Sequence, residues 1–174
     1  MKEVYFMKDN YDLSQLRKKT TRKNSRTKGN AFERQVATKL NERFKTKEFC
    51  RSPGSGAFAT THSLPEHLKI YGDLITPLNF KFCIECKKGY NNINIYNLYN
   101  ENSDIWKFFR QCKRDAKKCD KIPMLILKQD RQKILVILPE HITFVESYTC
   151  IQIYGSKIYL FEDIIKSWDS DWFH

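Results

Sequence analysis

Phe82-Cys83-Ile84-Glu85-Cys86-Lys87-Lys88 reads as a β-strand in which an acid and a base interrupt an apolar run. Side chains alternate faces along a strand, so Glu85 and Lys87 project from one face while Cys83 and Cys86 project from opposite ones. Upstream, Ile70-Tyr71-Gly72-Asp73-Leu74-Ile75 reads as a second strand with an acid in a similar apolar setting. Thr76-Pro77-Leu78 between the two predicts a hairpin. Glu66, Asp73 and Glu85 are the only acids among residues 49–100. A carboxylate placed among apolar neighbours is costly unless its charge is compensated. A divalent cation compensates it, and hard oxygen ligands suit Mg²⁺. Bound Mg²⁺ polarises a phosphoryl oxygen and acidifies a water nucleophile, while a nearby ammonium stabilises the developing charge. Asp…Glu-x-Lys is therefore a workable kit for phosphodiester hydrolysis. The same spacing also suits an ion pair on an exposed sheet face.

The flanking elements follow from periodicity. Phe32, Val36 and Leu40 lie on one helical face, with Ala37 and Phe44 nearby; Asn30 reads as the N-cap and Glu33 falls in the capping-box position. Residues 48–51 read as a short strand stopped by Ser52-Pro53-Gly54-Ser55-Gly56, and 57–69 as a loop that includes His62 and His67. Residues 104–118 predict an amphipathic helix. Ile105, Phe108, Phe109, Cys112 and Ala116 form its apolar stripe, and its other face carries Lys107, Arg110, Lys113, Arg114, Lys117 and Lys118. Strands are expected at 124–128 and 133–138, then a hairpin at 149–154 and 157–161, then a short acidic helix through Ile164, Ile165 and Trp168. Tyr90, Tyr96 and Tyr99 could stack on unpaired bases, but packing is the preferred reading. This order describes an α/β or α+β domain built on a mixed sheet.

Charge divides the 174-residue chain, whose formal net charge is +11, into three parts. Residues 1–28 hold nine bases and three acids, 29–140 twenty and twelve, and 141–174 two and five. Seven bases fall between Arg17 and Lys28 with no acid among them. Such a stretch has too little apolar material to fold alone, and it suits an arm laid along phosphates; a solvated linker is the plainer reading. No apolar run approaches the ~18 residues of a membrane span, and the charged first residues do not resemble a secretory signal. A cytoplasmic protein is expected, with no membrane or small-molecule cofactor. The six cysteines invite a zinc site, but Cys83 and Cys86 diverge on a strand, so reduced core thiols are expected.

Residues 29–89 resemble the PD-(D/E)XK nuclease superfamily, and most closely the archaeal-type Holliday junction resolvases. The resemblance rests on four motifs in order: Glu33-Arg34 with Val36, Ala37 and Leu40; Arg51-Ser52-Pro53-Gly54-Ser55-Gly56; Gly72-Asp73-Leu74-Ile75; and Phe82 to Lys88. It continues loosely to residue 139. Gly72 stands where the superfamily's name has Pro. The resemblance implies an α/β, restriction-endonuclease-like core with a central mixed sheet flanked by helices. It implies a basic arm (1–28), a nuclease core (29–140), and a C-terminal hairpin and short helix (141–174) packed on the core or on a dimer partner. By resemblance, Asp73, Glu85, the backbone carbonyl of Cys86 and Glu33 would hold Mg²⁺, with Mn²⁺ able to substitute. Lys87 would act on the attacking water, and Ser55 would lie in or beside the site. Arg34 and Arg51 match bases that the family places toward the phosphates; separately, Lys107, Arg110 and Arg114 recur at three- and four-residue steps as a stripe that could follow a phosphate backbone, and Lys28 and Lys88 are expected to face DNA with them. The implied activity is paired cutting of four-way DNA junctions by a homodimer associated with nucleoid or viral DNA. Another DNA nuclease of the superfamily, of restriction or repair type, or a non-catalytic DNA-binding protein on the same fold, are the alternatives.

Overall fold

The structure, a computed structural model, describes residues 25–53, 71–89 and 94–174. Ser55, His62, His67, Tyr90 and most of the expected basic arm lie outside them. The elements in chain order are α1 (Ser25–Phe44), β1 (Cys50–Arg51), β2 (Leu74–Ile75), β3 (Phe82–Lys88), a 3-10 turn (Ile95–Tyr99), α2 (Asp104–Lys118), β4 (Ile122–Lys128), β5 (Ile134–Pro139), β6 (Cys150–Ile153), β7 (Ser156–Leu160), α3 (Phe161–Ile164) and α4 (Asp169–Trp172). Five strands form one sheet in the order β3-β4-β5-β7-β6. The β3–β4 pair is parallel and the other pairs are antiparallel. This is a mixed α/β sheet flanked by helices, as expected.

Both faces of the sheet are covered, which explains the unbroken apolar run in β4. Met124 and Ile126 join the core beneath α1, with Phe32, Val36, Leu40, Ile84 and Cys86. Leu125 and Leu127 join the core beneath α2, with Ile105, Phe109 and Cys112. Cys83 and Cys86 point to opposite faces accordingly: Cys86 packs in the α1 layer, and the Cys83 thiol lies beside the Cys119 thiol, at the C-terminal end of α2. All six thiols are free, but Cys50 is exposed rather than in the core, because its two-residue strand turns that side chain to solvent.

Four local expectations are corrected. The first helix begins at Ser25, five residues before Asn30, because 25–29 contain no breaker strong enough to stop it. Asn30 is therefore interior, and Glu33 is not a capping-box acid. The predicted hairpin between β2 and β3 does not form as a ladder. β2 pairs instead with β1, Cys50 opposite Ile75 and Arg51 opposite Leu74. The approach to β3 is taken by the C-terminus, through a Phe80–Phe173 bridge and a Lys81 N–H donated to Trp172 O at 2.8 Å. The 3-10 turn buries only Leu98, so Tyr96 and Tyr99 are exposed on the chain's surface rather than packed in its core. The acidic helix is split into α3 and α4, leaving Trp168 exposed and Trp172 fully buried.

Arg43 of α1 explains that split. Its guanidinium donates to Ile165 O at 2.8 Å and Ser167 O at 2.7 Å, and it pairs with Asp169 at 2.9 Å. Those carbonyls are thus satisfied outside a helix, and Trp172 swings into the aromatic cluster of Phe44, Phe80 and Phe82. Charge-assisted hydrogen bonds of this kind contribute about 1.5–3 kcal/mol each when partly buried. Arg43→Met is expected to lower the urea midpoint by an amount equivalent to about 2–3 kcal/mol. A smaller shift than 1 kcal/mol would show that the aromatic packing holds the terminus without it. The β6–β7 hairpin turns at Tyr154 and Gly155, with φ of 48° and 64°. Two consecutive positive values are the signature of a tight two-residue turn matched to strand twist.

Candidate active site

The candidate site gathers around the outer edge of β3, an edge strand of the five-stranded sheet. In a strand, a residue's N–H and C=O point toward the same edge. Ile84 O accepts the Asp73 N–H at 2.8 Å, and the Cys86 N–H donates to Asp73 Oδ2 at 2.8 Å. The carbonyl of Cys86 therefore lies on the same edge as the Asp73 carboxylate. Glu85 and Lys87 share the face toward α2, and their carboxylate and ammonium form an ion pair. The Lys87 ammonium also sits 5.4 Å from the centre of the Phe108 ring. Glu33 enters from α1, and Arg51 of β1 donates to its Oε2 at 2.6 Å.

Asp73, Glu85 and Glu33 are each about 5–6% exposed. Burial first and the Asp73 charge second, partly offset by Lys87, raise the pKa of Glu85 to about 7. Burial and Asp73 also raise Glu33, against the lowering effect of Arg51. The thiol of Cys86 is pushed well up by burial and then by Asp73, Glu33 and Glu85. The Asp73 charge thus raises both Glu85 and Glu33, and all three carboxylates act on the Cys86 thiol. That is the condition a cation relieves.

Ser52, which no motif singled out, builds the turn that carries Asp73. It is buried, its N–H donates to Asp73 O at 2.9 Å, and its hydroxyl reaches Gly72 O at 3.2 Å. Asn41 performs a similar task for β1, giving and accepting hydrogen bonds with the backbone of Phe49 at 2.8 and 3.0 Å. Ser52 falls inside the Arg51–Gly56 motif, but the residue-level hint of its role is its place before Pro53-Gly54, a common turn context. Gly72 has φ of +78°, and a Cβ there would lie 2.6 Å from Ile84 O. Proline cannot adopt that φ. Glycine here is thus a different backbone solution, not a relaxed version of the superfamily's proline.

The expected DNA-facing bases separate into two groups. Arg34 on α1 and Lys107, Arg110 and Arg114 on α2 are exposed. Lys107 also pairs with Asp104 at 3.0 Å, and Arg110 donates to Glu101 O at 3.3 Å. Lys88 is half-buried at the end of β3, and Lys28 lies 3.5 Å from Asp130. Arg51 does not face outward; it neutralises Glu33.

Among the described residues no group of three His, Cys, Asp or Glu side chains forms a ready metal cluster. The carboxylates are held by Lys87, Arg51 and the Cys86 amide instead. Their chemistry nevertheless fits a hard divalent cation: the donors are oxygens, they are buried, and their charges repel. No helix among the described residues is long and apolar enough to cross a membrane.

A family model described as "Phage putative PDDEXK endonuclease" matches residues 24–168. The chain is also similar to Protein D14 of Escherichia phage T5, 38% identical over 120 residues, which cover 66% of this chain and 70% of that protein. No solved structure matches it.

Proposed function

The chain belongs to the phage PD-(D/E)XK endonuclease family, and on that premise we propose that it is a divalent-metal-dependent DNA endonuclease that cuts branched DNA, four-way junctions above all. The observation that carries this reading is the edge of β3, where Asp73 accepts the Cys86 N–H and Glu85 pairs with Lys87, with the buried Glu33 held by Arg51 on the adjoining α1. Asp73, Glu85 and the Cys86 carbonyl would hold Mg²⁺, with Mn²⁺ able to substitute, and Glu33 would complete the acidic set. When bound, the cation supplies Lewis-acid polarisation of the phosphodiester and acidification of water.

The protein's own groups do the rest. Asp73 is oriented by the Cys86 N–H, so one carboxylate oxygen is committed to the backbone and the other is left to a ligand. Lys87 is held by Glu85 on the site face, where its ammonium can orient the attacking water and stabilise the developing phosphorane charge. Arg51 keeps Glu33 from becoming an unpaired buried charge. The exposed bases of α2 and Arg34 would follow the backbone of the substrate and fix its register without reading its sequence. Paired cuts across a junction would require two copies of the chain related by two-fold symmetry.

The test is cleavage of a four-way junction, a flap, a linear duplex and single strands, with Mg²⁺, Mn²⁺ or EDTA. Symmetrical junction nicks that need the cation would support the proposal. Equal cutting of linear duplex would reduce it to a general nuclease, and tight binding without cutting under any divalent metal would make the chain a DNA-binding protein. Metal binding has its own readout. Above pH 7, Mg²⁺ at about a hundredfold excess over its Kd is expected to raise Tm by about 5 °C, a shift that Asp73→Asn removes. An unchanged Tm in the wild type would count against the metal ligands named here.

A further inference from the structure

Lys87 and Leu127 are register partners on neighbouring strands, Leu127 partners Leu135, and Leu135 partners Leu160. Register partners present side chains on the same face. These four residues therefore form one row across the sheet, advancing about 5 Å per strand from the catalytic candidate Lys87. The three leucines floor a cavity of about 530 Å³. Ile95, Tyr96 and Leu98 of the 3-10 turn and Ile105 of α2 wall it, and Gln129, Gln132 and Lys133 stand at its rim. Neither the expected site nor the family motifs use this cavity.

Its composition is selective. Its lining is mainly apolar, and Tyr96, 79% exposed, adds an aromatic ring on which a flat heterocycle could stack. The glutamines of the β4–β5 turn are exposed, and each carries both donors and an acceptor, the complement of a heterocycle's edge. An aliphatic ligand would leave those amides unused. Cations surround this end of the sheet: Lys87 on the cavity's face, Lys88 and its register partner Lys128 at the strand ends, and Lys133 on the rim, paired loosely with Glu162 at 3.8 Å. A ring with amide-like edges, tethered to an anion, is a nucleobase on its phosphate. The cavity begins one strand from Lys87, within the span of the nucleotide adjoining a phosphodiester held there.

In continuous duplex the bases are paired and stacked, and none can enter such a slot without being extruded. We propose that this cavity receives the unpaired nucleobase next to the scissile phosphodiester, stacked on Tyr96 and hydrogen-bonded by Gln129 and Gln132. The protein thereby selects DNA that offers an unstacked nucleotide at a branch or flap over uninterrupted duplex. This inference rests on the nuclease reading above and supplies its missing basis for substrate choice.

The test is binding of the full chain in EDTA, read by anisotropy, so that cutting plays no part. Three labelled DNAs are compared: a perfect duplex, the same duplex with a short single-stranded flap, and that flap with abasic residues beside the branch. The wild type is expected to bind the base-bearing flap about tenfold or more tighter than the abasic one, the range of one lost base–aromatic stack. Tyr96→Ala and Gln129→Ala, both surface changes, are expected to erase that difference and leave duplex binding unchanged. Equal affinity for base-bearing and abasic flaps overturns the proposal and leaves the nuclease reading standing. So does a result in which Tyr96→Ala splits a dimer without altering the flap preference, which would make the groove a subunit interface. Failure to bind any DNA overturns both.

Discussion

Glu85→Gln is expected to reduce DNA cleavage by about 10³-fold or more while the protein stays folded. The amide keeps the shape of the side chain but loses the charge that pairs with Lys87 and that the proposed cation would require. Stability should move in the opposite direction, and the sign follows from linkage. The Glu85 pKa stands at about 7 in the folded protein against an ordinary value of 4.5, with burial as the main cause and Asp73 second. Between pH 4.5 and 7 the folded state therefore holds a proton that the unfolded state has released. Wild-type stability falls as pH rises through that window and levels off above it, by at most about 3 kcal/mol from this group. Glu33, also raised, adds to the same slope. In Glu85→Gln the slope should flatten. Urea melts of both proteins in EDTA at pH 5, 6, 7 and 8, paired with cleavage assays, check the two limbs together. A variant that loses activity and keeps the full pH slope would show that Glu85 is not the group carrying the shift.

The largest stability effect is expected at Gly72. A methyl group there meets the Ile84 carbonyl at 2.6 Å and the Cys83 sulfur at 3.1 Å, on a backbone whose φ of +78° already disfavours any side chain. The left-handed conformation alone costs of order 1–3 kcal/mol outside glycine. The clash is with backbone rather than a movable side-chain end, so Gly72→Ala should cost about 3 kcal/mol or more in total. The strain would be relieved by moving the Asp73 N–H away from Ile84 O, which shifts the neighbouring carboxylate. Activity should therefore fall further than the folded fraction does. Gly72→Pro, the residue that stands in the superfamily's name, should be worse still, because its ring fixes φ near −65°. Circular dichroism melts combined with activity normalised to folded protein would check this. A proline variant as stable as the wild type would mean that the turn can adopt the other backbone solution.

How much of this was legible beforehand varies with the range of the contact. The pairing of Glu85 with Lys87 follows from strand alternation, a relation between residues two apart. The two-sided burial of β4 is visible as Met124-Leu125-Ile126-Leu127, and the hairpin of β6 and β7 as Gly155 between alternating strands. Asn30 and Glu33 imitate a capping box, and the longer helix from Ser25 overrides it. A proline-containing turn signals a change of direction but not which strand becomes the partner, and β2 takes β1 rather than β3. The Arg51–Glu33 pair at 2.6 Å joins residues 18 positions apart on β1 and α1, and the charge of Arg51 in the sequence carries no sign of that partner.

What the amino-acid order determined by itself was local and periodic. It set which residues alternate along β3, which face of each helix is apolar, and that a few acids sit where charge is expensive. These properties depend on neighbours two to four positions apart and on burial averaged over an element. The tertiary structure decided everything that depends on where distant segments meet: Asp73 accepting the Cys86 N–H, Ser52 bracing the turn, Arg51 neutralising Glu33, and the C-terminus closing the core through Arg43 and Trp172. Those contacts join residues 13 to 124 positions apart. Their geometry is set by strand register and helix packing, and no local window of the chain encodes either. The row from Lys87 to Leu160 belongs to the same class, four residues on four strands that only the sheet makes neighbours.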